Sequence, residues 1–524
     1  MKSLLFSCLL LLSFVDAVPA QPAPDQSKLR LSTEMKEPAN ATIDDYLGED
    51  ENGFYILRKK INNSAAGFFG TTVGFIVESY GNDLKMRKRQ ELAPGVNGMV
   101  AEMDMVKYLD GHLLACFTYV NRKEEKTELY YQFIDKKTLL LTGTPVKIAA
   151  IAYNSRSRQG EFRYQLPADK SKIAIIAALH DEKQLKETFT TRVFDGSMKL
   201  LWSKDITLPY ESELFNREKL LLDNKGNIYL SGRLYFEKLK EKRNGMANYA
   251  YKILAYRDSG SVAKEYDISV PNQFITDVGF NITRDDKLAV AGFYSTQGTY
   301  SIKGISFTLI NAATGSIIRQ GTKPFDASFL ELFSRSQVDK KDAELYSYDL
   351  DNIIIRSDGG VLLLAEQYFV ESRTTRYYTG STYTTRTTYY FNYNDVMAIN
   401  INPDASVAWA TKIPKRQVTT DDGGYYSSYA YAVGGDKIYL LFNDNPDNLL
   451  VTDPSKVAKY SGVKRSVATL VTIGADGKWK KSLLFSNQDQ GEILRPKVCE
   501  QVADRQFFLY AEKGKNYVIG KADL

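Results

Sequence analysis

The sequence predicts an all-β fold, a single β-propeller of four-stranded antiparallel blades, and three observations predict it. A phrase of short strands and polar turns recurs along the chain, its central strands are near-continuously apolar, and no helical stretch of βαβ length lies between the copies. A strand that is apolar throughout is covered on both faces, which is what stacking one blade against the next demands.

The phrase is a polar turn, a strand, a variable loop, a second strand, a Gly- or Asp-bearing turn, and a third strand. It is plainest at 224–271, 283–325, 356–414 and 434–486, and looser at 51–92, 110–143 and 169–209. IAIIAAL, LAVAG and VLLLAE are its apolar strands. A last, partial copy occupies 503–524 and ends before its third strand. Each copy follows a further short strand, clearest where TIDDYLGEDENGFYIL (42–57) parallels FITDVGFNITRDDKLAV (274–290). The order is therefore a, b, c, d per unit. Eight blades are expected, with seven as the alternative. The last blade lacks strand d, and Lys28-Leu29-Arg30-Leu31-Ser32-Thr33 alternates polar and apolar residues, so this segment is expected to fill the place and close the ring.

Residues 1–20 read as a signal peptide: Lys2, an uncharged apolar run from Leu4 to Val15, then Val18-Pro19-Ala20 before Gln21. That run is shorter than the roughly 20 residues of a membrane span. An exported chain of 21–524 without a transmembrane segment is expected, in the periplasm or at the cell surface. Cys8 sits inside the apolar run, which does not suit a lipid anchor.

Composition excludes several chemistries. The formal charge of +5 over 524 residues gives no concentrated basic face, so nucleic acid is not an expected partner. Outside the signal segment only Cys116 and Cys499 remain, both in apolar stretches, and they read as buried free thiols. His112 and His180 are the only histidines, and no G-x-S-x-G motif accompanies them, which leaves no Ser-His-acid arrangement. The scattered His and Cys make no zinc site. Asp44, Asp45, Glu49 and Asp50 do not follow the spacing of a calcium loop. No metal and no cofactor are expected.

In an antiparallel blade the a–b and c–d turns leave one face, and the b–c and d–a connections leave the other. The first set is short: NKGN, TRDD, SDGG, GGD, DGSM, AATG and ADGK. The long inserts at 236–249, 325–350, 371–393, 415–430 and 443–464 all belong to the second set. In 325–350, Phe329, Leu330, Leu332 and Phe333 predict a short amphipathic helix. Inserts gathered on one face of a repeat protein mark its binding face.

The insert at 371–393 stands apart, because Thr and Tyr supply 14 of its 23 residues. The β-branched and aromatic runs around Thr379-Gly380-Ser381 predict a hairpin. It either projects or folds over a neighbouring blade. Tyr supplies rigid amphipathic area and Arg planar hydrogen bonding, so Arg376, Tyr377, Tyr378, Tyr383, Arg386, Tyr389 and Tyr390 are candidate binding residues. Asp421, Asp422, Tyr425 and Tyr426 in the next insert join them. Tyr429 and Tyr431 alternate as residues lining a strand a would. Asp421, Asp422, Asp444 and Asp447 are the carboxylates available for acid–base work on a sugar, although DDGG and NDNPDN are also ordinary turn sequences.

The phrase AATGSIIRQ (312–320), with Trp202, Trp409 and Trp479 just after the same turn in other blades, resembles the repeat of quinoprotein-like propellers. That resemblance implies blades stacked through a Trp near the end of each repeat and, in the enzymes of that family, bound pyrroloquinoline quinone. The stretches 344–368 and 413–430 resemble exported propeller proteins of Bacteroidota. This resemblance implies an envelope setting and carries over no activity and no site. The sequence thus reads as a non-catalytic binding or scaffold propeller for a protein or glycan of the cell envelope, monomeric unless part of an envelope complex. The alternative is a carbohydrate-active enzyme with paired carboxylates near the central channel.

Overall fold

The structure, a computed structural model, describes residues 29–62, 72–152, 160–178, 185–237, 240–333, 338–339, 344–451, 453–460, 462, 465–487 and 491–524. The signal segment 1–20 and His180 lie outside them. Among the described residues the chain is almost all β, and no helix is long and apolar enough to cross a membrane.

Seven four-stranded antiparallel meanders follow one another at 41–92, 102–152, 161–211, 215–267, 274–324, 348–420 and 430–486. They are called here the first to seventh sheets, with strands a to d in chain order. The repeat phrases match strands b, c and d of these sheets. Two boundaries move: strand d of the second sheet runs Leu141–Ala152, well past 143, and strand d of the sixth runs Val407–Thr420, past 414. The eighth sheet draws on both ends of the described chain. Gln506–Lys513 and Asn516–Asp523 are its strands b and c, flanked on one side by Glu500–Ala503 and Ile493–Leu494 and on the other by Leu29–Leu31 and Met35–Lys36.

Leu29 lies opposite Ala522, and Leu31 lies opposite Gly520. A Cβ at Gly520 would meet Leu31 Cδ2 at 2.6 Å and the Arg30 carbonyl oxygen at 2.8 Å, so glycine there is what lets the N-terminal strand approach.

Apolar clusters fill the gap between each sheet and the next, from the first through to the eighth. A further cluster, with Ile43, Phe54 and Tyr80 against Phe508, Tyr510 and Ile519, joins the eighth sheet to the first. The core is thus distributed between sheets, and burying each such large side chain stabilises by about 1.5–3 kcal/mol. Strands a touch between the first and second, third and fourth, and fifth and sixth sheets, and strand a of the seventh touches Glu500–Ala503 of the eighth, as expected when they converge on a common axis. This is a β-propeller arrangement.

The tryptophans act between sheets. Trp202 Nε1 donates to the Gly226 carbonyl at 3.0 Å, and Trp409 Nε1 donates to that of Ala475 at 2.8 Å, in both cases a turn of the next sheet. In the fourth sheet Tyr266 takes this part, its hydroxyl donating to the Ala312 carbonyl at 3.1 Å. The two thiols are buried and free.

Several inserts carry more structure than their composition showed. In 325–350 a helix of one turn, Ala327–Leu330, is capped by Asp326 and buries Phe329. Glu344–Tyr346 then pairs with Ser301–Ile302 from the b–c connection of the fifth sheet, so neighbouring inserts meet on one face. Glu344, fully buried, fastens them, accepting from Ser295 Oγ at 2.6 Å and from the Thr296 backbone and hydroxyl at 2.9 and 2.7 Å. Insert 371–393 is continuous with strands b and c of the sixth sheet, Val361–Tyr378 and Tyr383–Ile401. Strand d of that sheet runs to Thr420, which shortens the next loop to 421–429.

Candidate functional site

Strand a is where the fold departs most from regular pairing. In six sheets the pairing of strand a with strand b is interrupted by a β-bulge, twice in the first sheet, and the extra residues are Asp44 and Leu47, Asp104, Glu218, Thr276, Asp351 and, in the eighth sheet, Val502. A bulge re-aims the side chain at its extra residue, and four of these seven are acids. Two reach the following sheet through a tyrosine: Tyr164 OH donates to Asp104 at 2.5 Å, and Tyr429 OH donates to Asp351 at 2.8 Å. Glu218 accepts from Tyr251 within its own sheet and pairs with Arg233 at 3.0 Å. Asp44 pairs with Lys59 at 2.9 Å.

Asp351 belongs to the most elaborate polar cluster on the loop-rich face, where the sixth, seventh and eighth sheets meet. Burial pushes its carboxyl up to about 7, helped by Glu366 and Asp349 and opposed by Tyr429 and Lys415. Asp349 is raised as well, by burial first and then by Asp277 and Glu366. Both side chains nonetheless keep surface open to solvent along strand a, so their desolvation comes from crowding by the neighbouring strands and not from enclosure. Glu366 behind them is buried and fully engaged, accepting from Lys415 Nζ at 2.5 Å and from Ser428 Oγ at 2.6 Å. Lys415 Nζ also donates to the Tyr393 carbonyl at 2.9 Å and to Gln417 Oε1 at 3.0 Å.

The loop 421–429 is bolted to all three sheets. Its Asp422 accepts from Thr419 Oγ1 at 2.6 Å and from the Gly424 N–H at 2.9 Å. Tyr425 and Tyr426 each donate a hydroxyl to Glu512 of the eighth sheet at 2.9 Å. Arg495 stacks on Tyr425 at 3.9 Å and pairs with Glu512 at 3.3 Å. Ser428 and Tyr429 reach back to the sixth sheet. Lys497 Nζ donates to Tyr393 OH at 2.9 Å and to the Gly424 carbonyl at 3.0 Å, and burial lowers its pKa. A loop held at so many points is a pre-formed surface, for which binding incurs little ordering cost.

Above this platform stands the hairpin. Every residue from Glu371 to Thr387 is exposed, on both faces, so the hairpin projects and does not fold over a neighbour. Tyr378 and Tyr383 are 60% and 63% exposed, with their rings 5.2 Å apart, and Arg376 stacks over Tyr383 at 4.2 Å. Tyr377 and Tyr389 are exposed too. At the foot, Asp421 accepts the Tyr389 N–H at 2.8 Å and pairs with Arg386 at 3.5 Å, while Tyr390 lies opposite Thr420. The structure thus gathers the candidate residues into three groups: Arg376, Tyr377, Tyr378 and Tyr383 at the tip; Arg386, Tyr389, Tyr390 and Asp421 at the foot; Asp422, Tyr425 and Tyr426 in the platform. Tyr431 is half-buried on strand a of the seventh sheet.

The carboxylates singled out for acid–base work do not converge. Asp444 is fully buried against Lys481 at 2.8 Å, Asp447 is paired with Arg465 at 2.9 Å, and Asp421 and Asp422 brace turns. Asp45, Glu49 and Asp50 are each paired with a different lysine, Lys107, Lys521 and Lys136. Among the described residues no three His, Cys, Asp or Glu side chains are placed to hold a metal ion. The acids that do gather, Asp349, Asp351 and Glu366, were missed because the D-x-D alternation in YDLDN is also that of any half-exposed strand. Lys415, Arg495, Lys497 and Glu512 gave no sequence signal at all.

Three carboxyls, those of Glu37, Asp351 and Glu500, are pushed up to about 7 by burial. Each holds its proton more tightly folded than unfolded. Their contribution is full below about pH 4 and is lost as the pH rises through 7. Carboxyls held low, such as those of Glu344, Asp50 and Glu128, lose theirs only as the pH falls below the ordinary carboxylate range. The urea midpoint is therefore expected to be higher at pH 5 than at pH 8, and a midpoint rising between those values would contradict the assignment.

No protein-family model matches the chain, and no curated protein matches it. Among solved structures, the WD40 domain of SCAP from fission yeast aligns at 7% identity over 96% of this chain and 97% of that one, with a TM-score of 0.39. The β-propeller domain of the Trilobed protease from Pyrococcus furiosus aligns at 12% identity over 84% of this chain and 97% of that one, with a TM-score of 0.35. Cobalt-substituted apocarotenoid oxygenase from Synechocystis aligns at 9% identity over 94% of each chain, also at 0.35. At these values the likenesses carry no argument about site or activity.

Proposed function

We propose that the eight sheets are the blades of one ring closed by the N-terminal strand, and that the chain is an exported, non-catalytic binding scaffold of the cell envelope. Its partner, a protein or glycan, is engaged through the loop-rich face at the sixth to eighth blades. The hairpin carries this reading. Its seventeen residues from 371 to 387 bury nothing in the core, yet they present stacked tyrosines and arginine above a braced platform. Exposed aromatic and arginine side chains on a rigid support are the usual anchors of recognition.

The test replaces residues 373–388 by Asn-Gly. Ser372 lies opposite Tyr389, so a two-residue turn closes the shortened pair without touching the blade. The variant is expected to melt like the parent and to lose at least tenfold in envelope-fraction pull-down and glycan-array signal. Identical partners and glycans for both forms would remove the hairpin from the function.

A second reading has one observation in its favour. Asp349 and Asp351 share the exposed side of strand a, and Asp351, at about 7, keeps a proton near neutrality as a general acid must. Asp351→Asn should then abolish glycoside hydrolysis. The absence of hydrolysis by the wild-type chain on every glycan it binds would retire this reading.

A further inference from the structure

We propose that the strand b edge of the hairpin pairs with the same edge of a second copy of this chain, forming a two-fold dimer through an antiparallel strand pair. Strand b of the sixth sheet pairs with strand a only as far as Gln367, and the Tyr368 N–H makes one last bond to the Ser347 carbonyl. From Phe369 to Tyr378 the outer edge has no strand partner among the described residues. Proteins shield long edges with proline, charged side chains, bulges or a covering loop. This edge has no proline, its only irregularity precedes Tyr368, its charges Glu371, Arg373 and Arg376 are of both signs, and the residues from Val370 onward are open to solvent.

The charges choose the register. A two-fold axis perpendicular to the sheet keeps each side chain on its own face, so directly opposed residues must have the same parity. Centring the pair on Glu371 sets Glu371 against itself, and centring it on Arg373 sets Arg373 against itself. Centring on Thr374 leaves Glu371 opposite Tyr377 and Arg373 opposite Thr375. Centring on Ser372 sets Glu371 against Arg373 of the second copy, twice over by symmetry, with Val370 against Thr374 and Phe369 against Thr375. Opposite charges directly across a strand pair stabilise, and like charges destabilise. Neither Glu371 nor Arg373 has an ion-pair partner among the described residues of its own chain, whereas Arg376 is stacked on Tyr383 and Arg386 is paired with Asp421. The two charges left over are the two that this register matches. On this proposal the chain self-associates where the sequence reads as a monomer, and the tip residues Tyr377, Tyr378 and Tyr383 stay outside the paired segment.

Sedimentation equilibrium of the purified mature chain, with no other partner present, tests this apart from the proposed binding function. A concentration-dependent dimer is expected. Arg373→Glu, which puts glutamate against glutamate at both symmetric positions, should weaken it by roughly tenfold or more. The double variant Glu371→Arg/Arg373→Glu should restore it, with urea midpoints unchanged throughout. A monomer at every concentration, a dimer indifferent to Arg373→Glu, or no rescue by the double variant would overturn the proposal. Partner capture retained by a monomeric Arg373→Glu chain would leave the binding function standing alone.

Discussion

Replacing Arg58 by methionine is expected to cost about 3–5 kcal/mol of stability, the range for removing one partner of a buried ion pair. Arg58 is fully buried where the first and eighth sheets meet. Its Nε faces Glu78 at 2.8 Å, its Nη1 contacts Glu37 from the N-terminal segment, and its guanidinium stacks over Tyr517 at 4.3 Å. Glu78 is itself buried and shared with Arg89 at 2.5 Å. Methionine matches the volume but leaves two carboxyls facing a single arginine. Glu37 is the partner to neutralise, since burial and the nearby Glu512 and Glu78 outweigh the pull of Arg58 on its carboxyl. Arg58→Met/Glu37→Gln should therefore recover part of the loss. Urea unfolding at pH 7 measures both, and a single variant unfolding at the parental midpoint would show that this network does not hold the seam. Truncating residues 21–34 should also lower the midpoint, by the smaller amount that one short strand contributes, because Glu37 and its ion pair remain.

The contrast between that seam and the hairpin shows what a sequence of this kind discloses. Strands b and c were legible because both their faces are covered, which forces runs such as LAVAG and VLLLAE. The N-terminal strand was legible for a different reason: it pairs at an edge, and Leu29-Arg30-Leu31 keeps the two-residue alternation of such a strand. Strand a was the faintest, because it faces the axis and its bulges at Asp44, Thr276 and Asp351 interrupt alternation where polar residues accumulate. The limits of the inserts were blurred by exposure itself. From Glu371 to Thr387 no residue is buried, so nothing in the pattern separates the end of the blade from the start of the hairpin. Asp444 shows the opposite failure. In NDNPDN it reads as a turn acid, and only the fold, by bringing Lys481 to 2.8 Å, makes it a buried ion. A charge inside a strand announces its partner only when both are local, and these two are 37 residues apart.

Lys415→Met is the other substitution expected to cost about 3–5 kcal/mol, and it links the platform to the stability of the sheets beneath it. Lys415 is buried, and its ammonium is the only cation in contact with the buried Glu366 among the described residues. The same ammonium holds Gln417, whose Nε2 donates to the Asn443 carbonyl at 2.7 Å; Asn443 Nδ2 in turn donates to the carbonyls of Tyr426 and Leu494 at 2.9 and 2.7 Å. One side chain thus anchors a chain of bonds from the sixth sheet through the seventh to the eighth, with loop 421–429 hung along it. Removing it leaves Glu366 with Ser428 alone and takes away a cation that holds the Asp351 carboxyl down. The pH dependence of stability should steepen as well as the midpoint fall. Lys415→Met/Glu366→Leu removes the charge and its partner together, and replacing a buried pair by packed apolar groups is often neutral. The double variant should regain most of the stability while loop 421–429 has lost the Ser428 tether. If that variant folds well yet loses envelope partners, the platform contributes to recognition. If it retains them at full strength, recognition belongs to the hairpin alone, and the polar network beneath it serves to hold three sheets in register.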